Sequence, residues 1–314
     1  MAGCKGNFAF VVAACLAGAV SNCCLPMILL PTTAWRECAA AHRARSERHT
    51  LPVRKRRDAG VAHPVEDFLF KYYPYPMVLL ERWQPGCGVG LEWDSHTLPA
   101  DFTGRSYSWV EGWISLDPEK MAAKDRDRLR WIRELLVATA ERPPNFGCHG
   151  LHEWAMVYQG STVRHEKTAR LRLPQGEIDA LVESRAFCCS HHDAFRFFAA
   201  AARPMNRLQP SLEGRLSMEQ PGCVHANMDL YKWAAKAMPW VGSELLLDCF
   251  ELAMALRDLD MRASPYDLAA WGCEPIHIET AEGRTVYELE QRRLAVAAVP
   301  LRDRLISGLE KALG

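Results

Sequence analysis

The chain carries no excess charge of either sign, with 38 Lys and Arg against 38 Asp and Glu over 314 residues. A protein that holds nucleic acid through bulk charge is more basic than this, so any such contact must come from a local patch. None of the twelve cysteines forms a C-x-x-C pair, which removes the usual zinc-knuckle spacing. The adjacent pairs Cys23–Cys24 and Cys188–Cys189 are poor disulfide partners for each other, and the rest are scattered through helix-rich sequence. Reduced, mostly buried thiols in a cytoplasmic protein are therefore expected. The apolar run Phe8 to Val20 has signal-peptide length but is too short to cross a bilayer comfortably, and no membrane partner is expected. The sequence also lacks internal repeats and low-complexity stretches. In PGCGVG (Pro85–Gly90) the third-glycine spacing of a dinucleotide fingerprint is missing and no helix follows directly. That stretch reads as a glycine-rich turn.

What is present is an ordinary globular composition, 49% hydrophobic and 24% charged, long enough to bury a substantial core. Residues 1–26 contain a single charge, Lys5, and read as an upstream extension or weak targeting segment outside the core. Met27 opens a stretch to residue 314 that reads as a single, mainly α domain (α+β) with a few short strands. A basic helix is expected over Trp35–His49, followed by Arg54, Lys55, Arg56 and Arg57. That run is either a solvated surface or a phosphate-contacting, nucleic-acid-binding patch. Alternation in SYSWVEGWISL (106–116) predicts a strand or hairpin. Asp117 as cap and Pro118 as first residue predict a helix that Pro143–Pro144 end, and further helices are expected near 175–184, 226–238, 243–262 and 281–313.

Chemistry concentrates in four segments. In NFGCHGLHEWAMVY (145–158), helical spacing puts His149, His152 and Glu153 together on a helix otherwise apolar nearly all round. In AFCCSHHDAFRFF (186–198), an extended strand would put Cys189, His191 and Asp193 on one face with Phe195 and Phe197. An imidazole beside a carboxylate there is a structural pair, a base with its orienter, or a metal ligand with its support. In the third, His225, Asp229, Lys232 and Lys236 line one helical stripe. Asp229 and Lys232 read as a surface pair, and the lysines beside His225 suit an anionic ligand rather than a metal. In the fourth, Glu244, Asp248, Glu251 and Asp258 share a stripe that is either an exposed edge or a carboxylate-lined cavity. Ser264, Pro265 and Asp267 read as helix-start signals, which leaves Asp260 and Arg262 free to act.

Buried ionisable groups are costly alone, so the 149–153 arc and the 191–193 face are expected to meet in one cavity. The candidate catalytic set is His191 as base or ligand, Asp193 as its orienter, and Glu153, His152 and His149. Candidate substrate contacts are Trp154, His225, Lys232, Asp260 and Arg262. If a divalent metal is present, His149, His152 and His191 are its candidate ligands.

Taken together, HPVEDFLFKYY (63–73), RPPNFGCHGLHEWAMVY (142–158), HHDAFRFF (191–198), QPGCVHANMDLYKWA (220–234) and DCFELA…DMRASPYDL (248–268) resemble a bacterial, chiefly actinobacterial, family. Its members commonly carry the label 3-methyladenine DNA glycosylase. The similarity runs from about Met27 to the C-terminal helix. It implies a hydrolase that cleaves the glycosidic bond of an alkylated purine, with DNA or a nucleobase-containing ligand as partner and no cofactor required. Such chemistry needs an aromatic pocket for the turned-out base and a carboxylate. The helix-hairpin-helix glycine turn and following aspartate of the best-known glycosylase superfamily are absent, so the resemblance supplies no catalytic residues. Two other readings stand beside it. One is a metal-dependent hydrolase or oxygenase using His149, His152, Glu153, His191, Asp193 and His225, with a divalent metal. The other is a ligand-binding protein whose histidines satisfy core hydrogen bonds.

Overall fold

A computed structural model describes residues 27–95, 98–102, 104, 106–160 and 169–314; the extension read over 1–26 lies outside them. In chain order the elements are β1 (Ile28–Leu30), α1 (Thr32–Asp58), α2 (Leu69–Tyr72), α3 (Met77–Glu81), β2 (Val89–Glu92), β3 (Tyr107–Val110), β4 (Trp113–Leu116), α4 (Ala123–Ala140) and α5 (Leu151–Met156). They continue with α6 (Gln175–Glu183), α7 (His192–Phe195), α8 (Arg215–Met218), α9 (Val224–Lys236), α10 (Ser243–Arg262) and α11 (Ala281–Leu313). This is a single, mainly α domain with one small sheet, as composition and periodicity indicated.

The centre is helical. α10 packs on α9 and α11, and α11 also lies against α4. Leu246, Cys249, Phe250, Ala253 and Leu256 of α10 are fully enclosed, at the three- and four-residue spacing that forms one face of a helix. Truncating Phe250 to alanine there costs about 3–5 kcal/mol.

The sheet order is β1-β2-β4-β3, with β1 parallel to β2 and the other pairs antiparallel. β3 and β4 form the expected hairpin. Its turn residues Glu111 and Gly112 both have positive φ (49° and 88°), the mirror-image turn geometry that matches strand twist. The glycine-rich turn before β2 is a joint rather than a phosphate loop. Gly86 (φ 84°) lies against Gly242 (φ 82°) so closely that a Cβ on Gly86 would meet the Gly242 nitrogen at 3.0 Å. Cys87 N donates to Trp240 O and Ser243 N to Gln84 O across the same crossing.

Several local expectations are corrected. α1 is longer than the basic segment and runs through Pro52, which is exposed at the helix surface. Its buried line, Trp35, His42, Ser46, Thr50 and Val53, has helical spacing but is mostly polar. The acidic stripe of α10 accounts for that. Arg45 binds Asp248 and Glu251 at 2.7 and 2.5 Å, and His42 meets Glu244 at 2.9 Å. The stripe is thus the seat of α1 and not a cavity. Asp117 caps only a 3-10 turn (Pro118–Lys120), and α4 begins after a break at Ala122. No helix starts at Ser264: its hydroxyl bonds Met261 O, and Asp267 instead accepts from Ala269 N at a short 3-10 turn.

Candidate functional site

The 145–158 segment is not one helix. His149 (φ 45°) and Gly150 (φ 75°) are both left-handed, and α5 starts only at Leu151. A Cβ at Gly150 would sit 3.2 Å from Ala263 and 3.3 Å from Tyr287, so this turn also brings the backbone close to its neighbours. The break separates the residues expected to share an arc. His149 is only partly exposed, with its Nδ1 buried and 4.0 Å from Glu288. His152 is buried and turned into the protein.

Around His152 the chain assembles a compact polar centre. Its Nδ1 stands 3.3 Å from Cys148 Sγ, and its Nε2 stands 2.6 Å from Asp260 Oδ1 on the last turn of α10. At that distance the two are an ion pair: against burial, Asp260 and Cys148 hold the His152 imidazole well above its ordinary value. His225, on the first turn of α9, places its ring centroid 4.6 Å from that of His152 and 5.6 Å from that of His191. His225 thus stands between the rings of His152 and His191. Arg257 Nη1 lies 3.2 Å from both Asp260 Oδ2 and Glu153 Oε1, with its guanidinium 3.6 Å above the Phe68 ring.

The electrostatics follow from this packing. Burial opposes charge on Asp260, but His152, His225 and Arg257 outweigh it and hold its carboxyl well below the usual range. Burial, with Asp260 adding to it, pushes Glu153 up against the pull of Arg257. His225 is driven down to about 3 by burial and by the charge on His152. The Cys148 thiol is drawn well below its ordinary value by a hydrogen bond from Cys189 and by His152, despite its burial.

A second cluster lies beside the first. The segment 186–198 is not a strand: His191 is extended, but His192–Phe195 form the single helical turn α7. The Asn206 side chain takes the place of a sheet partner, accepting from Cys189 N at 2.7 Å and donating to Cys189 O at 2.9 Å. His191 and Asp193 therefore do not pair as strand neighbours. The orienting carboxylate of His191 is Asp229, 3.3 Å from Nε2, with Glu219 at 3.7 Å. Asp229 is buried, not part of a surface pair; it accepts from Tyr73 Oη at 2.7 Å and Lys232 Nζ at 2.8 Å. Lys232 also reaches Asp193 at 2.9 Å, and Arg215 closes on the same carboxylate. Burial works against the charge of Asp193, but Lys232 and Arg215 hold it at about 2.

A pocket of about 10 Å³, room for about one water, opens beside the first cluster; Cys148, His152, Ser190, His225, Tyr287 and Gln291 are among its walls. Four of the five expected substrate contacts, Trp154, Lys232, Asp260 and Arg262, do not line it. Trp154 is fully buried and donates its indole N–H to Ala263 O at 2.8 Å, which makes it a core residue. Lys232 is committed to Asp193 and Asp229, and Lys236 sits 5.5 Å above the Trp233 ring, so neither lysine offers a free anion site beside His225. Arg262 bonds Glu274 O and faces Asp258. In the basic run at the end of α1, Arg54 pairs with Glu81 at 2.6 Å and Arg56 with Glu66 and Asp67 at 2.7 and 2.6 Å, while Lys55 and Arg57 are exposed.

Sequence reasoning missed Cys148, Arg257, Ser190 and Gln291. Cys148 had a signal, standing four residues before His152. Gln291 had none, lying among charged residues on a long helix. Comparison of the chain with protein-family models, with curated proteins and with solved structures finds no match.

Proposed function

We propose that the chain is a metal-dependent hydrolase whose divalent cation is held by His152 Nε2, a ring nitrogen of His225 and a carboxylate oxygen of Asp260. One observation carries the reading: donor atoms of His152, His225 and Asp260, two of these residues fully buried, converge on one point. All three donor atoms lie within 4.8 Å of one another, and two histidines with one carboxylate form a common zinc or ferrous donor set. Cys148, 3.3 Å from Nδ1, would accept the proton there, and an ion would have to displace the second proton of the charged imidazole from Nε2. Arg257 fixes Asp260 from behind. A Cys148–His152–Asp260 nucleophilic relay uses the same atoms and is the second reading, favoured by the 2.6 Å approach of His152 to Asp260, the lowered Cys148 thiol and the raised His152 imidazole. The other acidic group, His191 with Asp193 and Asp229, already holds the ammonium of Lys232 and needs no metal.

When bound, the ion would supply Lewis acidity that activates water and polarises a carbonyl. His191 carries the proton: Asp229 orients its Nε2, and its Nδ1 is buried without a partner. Glu153, bound to Arg257, positions that arginine rather than exchanging protons. Hydrolysis fits better than oxygen activation, because thiols of Cys148 and Cys189 beside an oxidising centre would be consumed.

Excision of an alkylated base, implied by the family resemblance, is a different chemistry, since the sugar carbon that loses the base carries no carbonyl for an ion to polarise. The geometry gives a DNA substrate little support, since Tyr287 is the one Phe, Tyr or Trp among the described pocket walls and half the basic run is already paired. The eight described cysteines are all free, which supports a reducing compartment, the cytoplasm. No helix among the described residues is long and apolar enough to cross a membrane. Cobalt(II) titration followed by visible absorption tests the centre. The chain should show a tetrahedral or five-coordinate signature that His225→Ala abolishes, and an identical titration of the variant would overturn the ligand assignment.

A further inference from the structure

A wider space opens at one end of the small sheet, and no residue of either histidine cluster lines it. Its volume is about 440 Å³, within the range that small organic ligands occupy. Local pairing builds its walls. β2 ends at Glu92, whose cross-strand partner is Trp113 on β4. Trp93 N donates to Gly112 O at 2.7 Å, which holds the chain after β2 against the β3–β4 turn. From the start of α1, Thr32 N donates to Glu92 Oε2 at 2.8 Å and Trp35 Nε1 to Glu92 O at 3.1 Å. The Trp93 ring lies 6.1 Å from the buried Trp35 ring. Three separate segments are tied together by these contacts, so the fold itself sets the walls.

Those walls combine three acids, Glu92, Asp94 and Glu111, with the half-buried indoles of Trp93 and Trp113. No Lys or Arg is among the described walls, and none of the three acids has an ion-pair partner among the described residues. Such a lining suits an organic cation. The carboxylates attract its charge, and an indole face attracts both an ammonium and the methylenes beside it. A metal ion has the wrong shape for it, because calcium or magnesium needs oxygens gathered at one point. Among the described residues, the compact donor groups with ligand atoms within 4.8 Å of one another are those of the histidine clusters, and these three acids form no such group. Carboxylates spread around the space match charges that are themselves spread along a chain. Glu92 also serves the fold by receiving Thr32 N, whereas the Asp94 and Glu111 side chains bond nothing among the described residues.

We infer that this space binds a linear aliphatic polyamine, its ammonium groups on Asp94, Glu111 and Glu92 and its methylenes against Trp93 and Trp113. The inference does not depend on the metal centre, which shares none of these residues. A polyamine of two or three charges spans the acids, while a monoamine satisfies one and leaves the others unneutralised. Because the walls are partly exposed, each ion pair is screened, and affinity falls as salt is added.

The test is calorimetric titration of the full chain as purified with spermidine at low ionic strength, with n-butylamine and magnesium chloride as comparators. Spermidine should bind once per chain and more tightly than n-butylamine, and magnesium at equal charge should not displace it. The double variant Asp94→Asn/Glu111→Asn should weaken spermidine about fivefold to twentyfold, the ratio for two partly exposed ion pairs. Asparagine tolerates the positive φ of Glu111 (49°), and neither acid bonds another side chain among the described residues, so this variant keeps its fold. Trp113→Leu leaves the charge unchanged and should weaken spermidine about twofold to fivefold, with native circular dichroism as its control. Unchanged spermidine binding in the double variant, or no binding by any probe, would overturn the inference. Equal binding of n-butylamine would overturn it too, since one charge would then suffice. Displacement by magnesium would do the same, by showing diffuse charge rather than a shaped site.

Discussion

Replacing Arg257 by methionine removes the one cation between two buried carboxylates. Arg257 and Asp260 are almost fully enclosed and Glu153 nearly so, and the guanidinium lies 3.2 Å from each acid. Breaking a buried ion pair from one side costs about 3–5 kcal/mol, because the remaining charge has no water to replace its partner. Glu153 offsets part of this by taking up a proton, since burial and Asp260 already raise its pKa. The expected loss is then ~3 kcal/mol, or roughly 5 °C in Tm for a chain of this size. Methionine fills much of the arginine stem's volume and keeps the contact with Phe68, so little of the loss comes from a cavity. Urea unfolding of metal-stripped protein gives the number directly. The double variant Arg257→Met/Glu153→Gln should recover ~1–2 kcal/mol, because one of the stranded carboxylates is gone. A loss below ~1 kcal/mol in the single variant, or no recovery in the double, would refute the view that Arg257 neutralises this pair.

Two further outcomes test the surface assignments. Burial opposes the charge of Glu251, but hydrogen bonds from His49 and Arg45 hold its pKa at about 2. A depressed carboxylate contributes stability that is full above its unfolded value of about 4.3 and is lost as pH falls towards the folded value. Since Glu251 is about one-third exposed, screening limits that contribution to ~1 kcal/mol, and Arg45→Met should shrink the stability difference between about pH 6 and pH 3 by this amount. If the pH profiles of variant and parent superimpose, Arg45 is not the partner that matters. In the basic run, Arg54 and Arg56 are already paired, so replacing all four basic residues with alanine should change the log–log salt slope of any duplex DNA binding by no more than about 2. A change near 4 would show that the acids release both arginines to phosphate.

The helical architecture was legible because its signals are local. α10 and α11 have the bounds that periodicity and flanking residues indicated, and the Glu111–Gly112 turn announces the hairpin. The 186–198 segment was misread because its composition suits a strand, while the missing sheet partner is replaced by one side chain from Asn206, twenty residues downstream of its start. His149 was misplaced for a backbone reason. A left-handed residue before Gly150 turns it away from an arc that an unbroken helix would have given it. The histidines themselves stood out as polar residues in apolar sequence. Their partners did not: Asp229 looked like a helix-surface acid, and Arg257 stood out in no pattern. Long-range pairing with Tyr73 and Glu153, invisible to spacing, made both of them interior residues.

The most direct test of the metal centre is elemental analysis of the full chain, purified without a histidine tag and quantified by inductively coupled plasma mass spectrometry. The proposed metal centre predicts about one divalent transition metal per chain, bound by two imidazoles and one carboxylate. Asp260→Asn and His225→Ala should each lose it while retaining native helical circular dichroism. Trace metal in the parent both as purified and after equilibration with zinc(II), iron(II) and manganese(II), or full occupancy in both variants, would contradict the assignment of His152, His225 and Asp260 as a metal site.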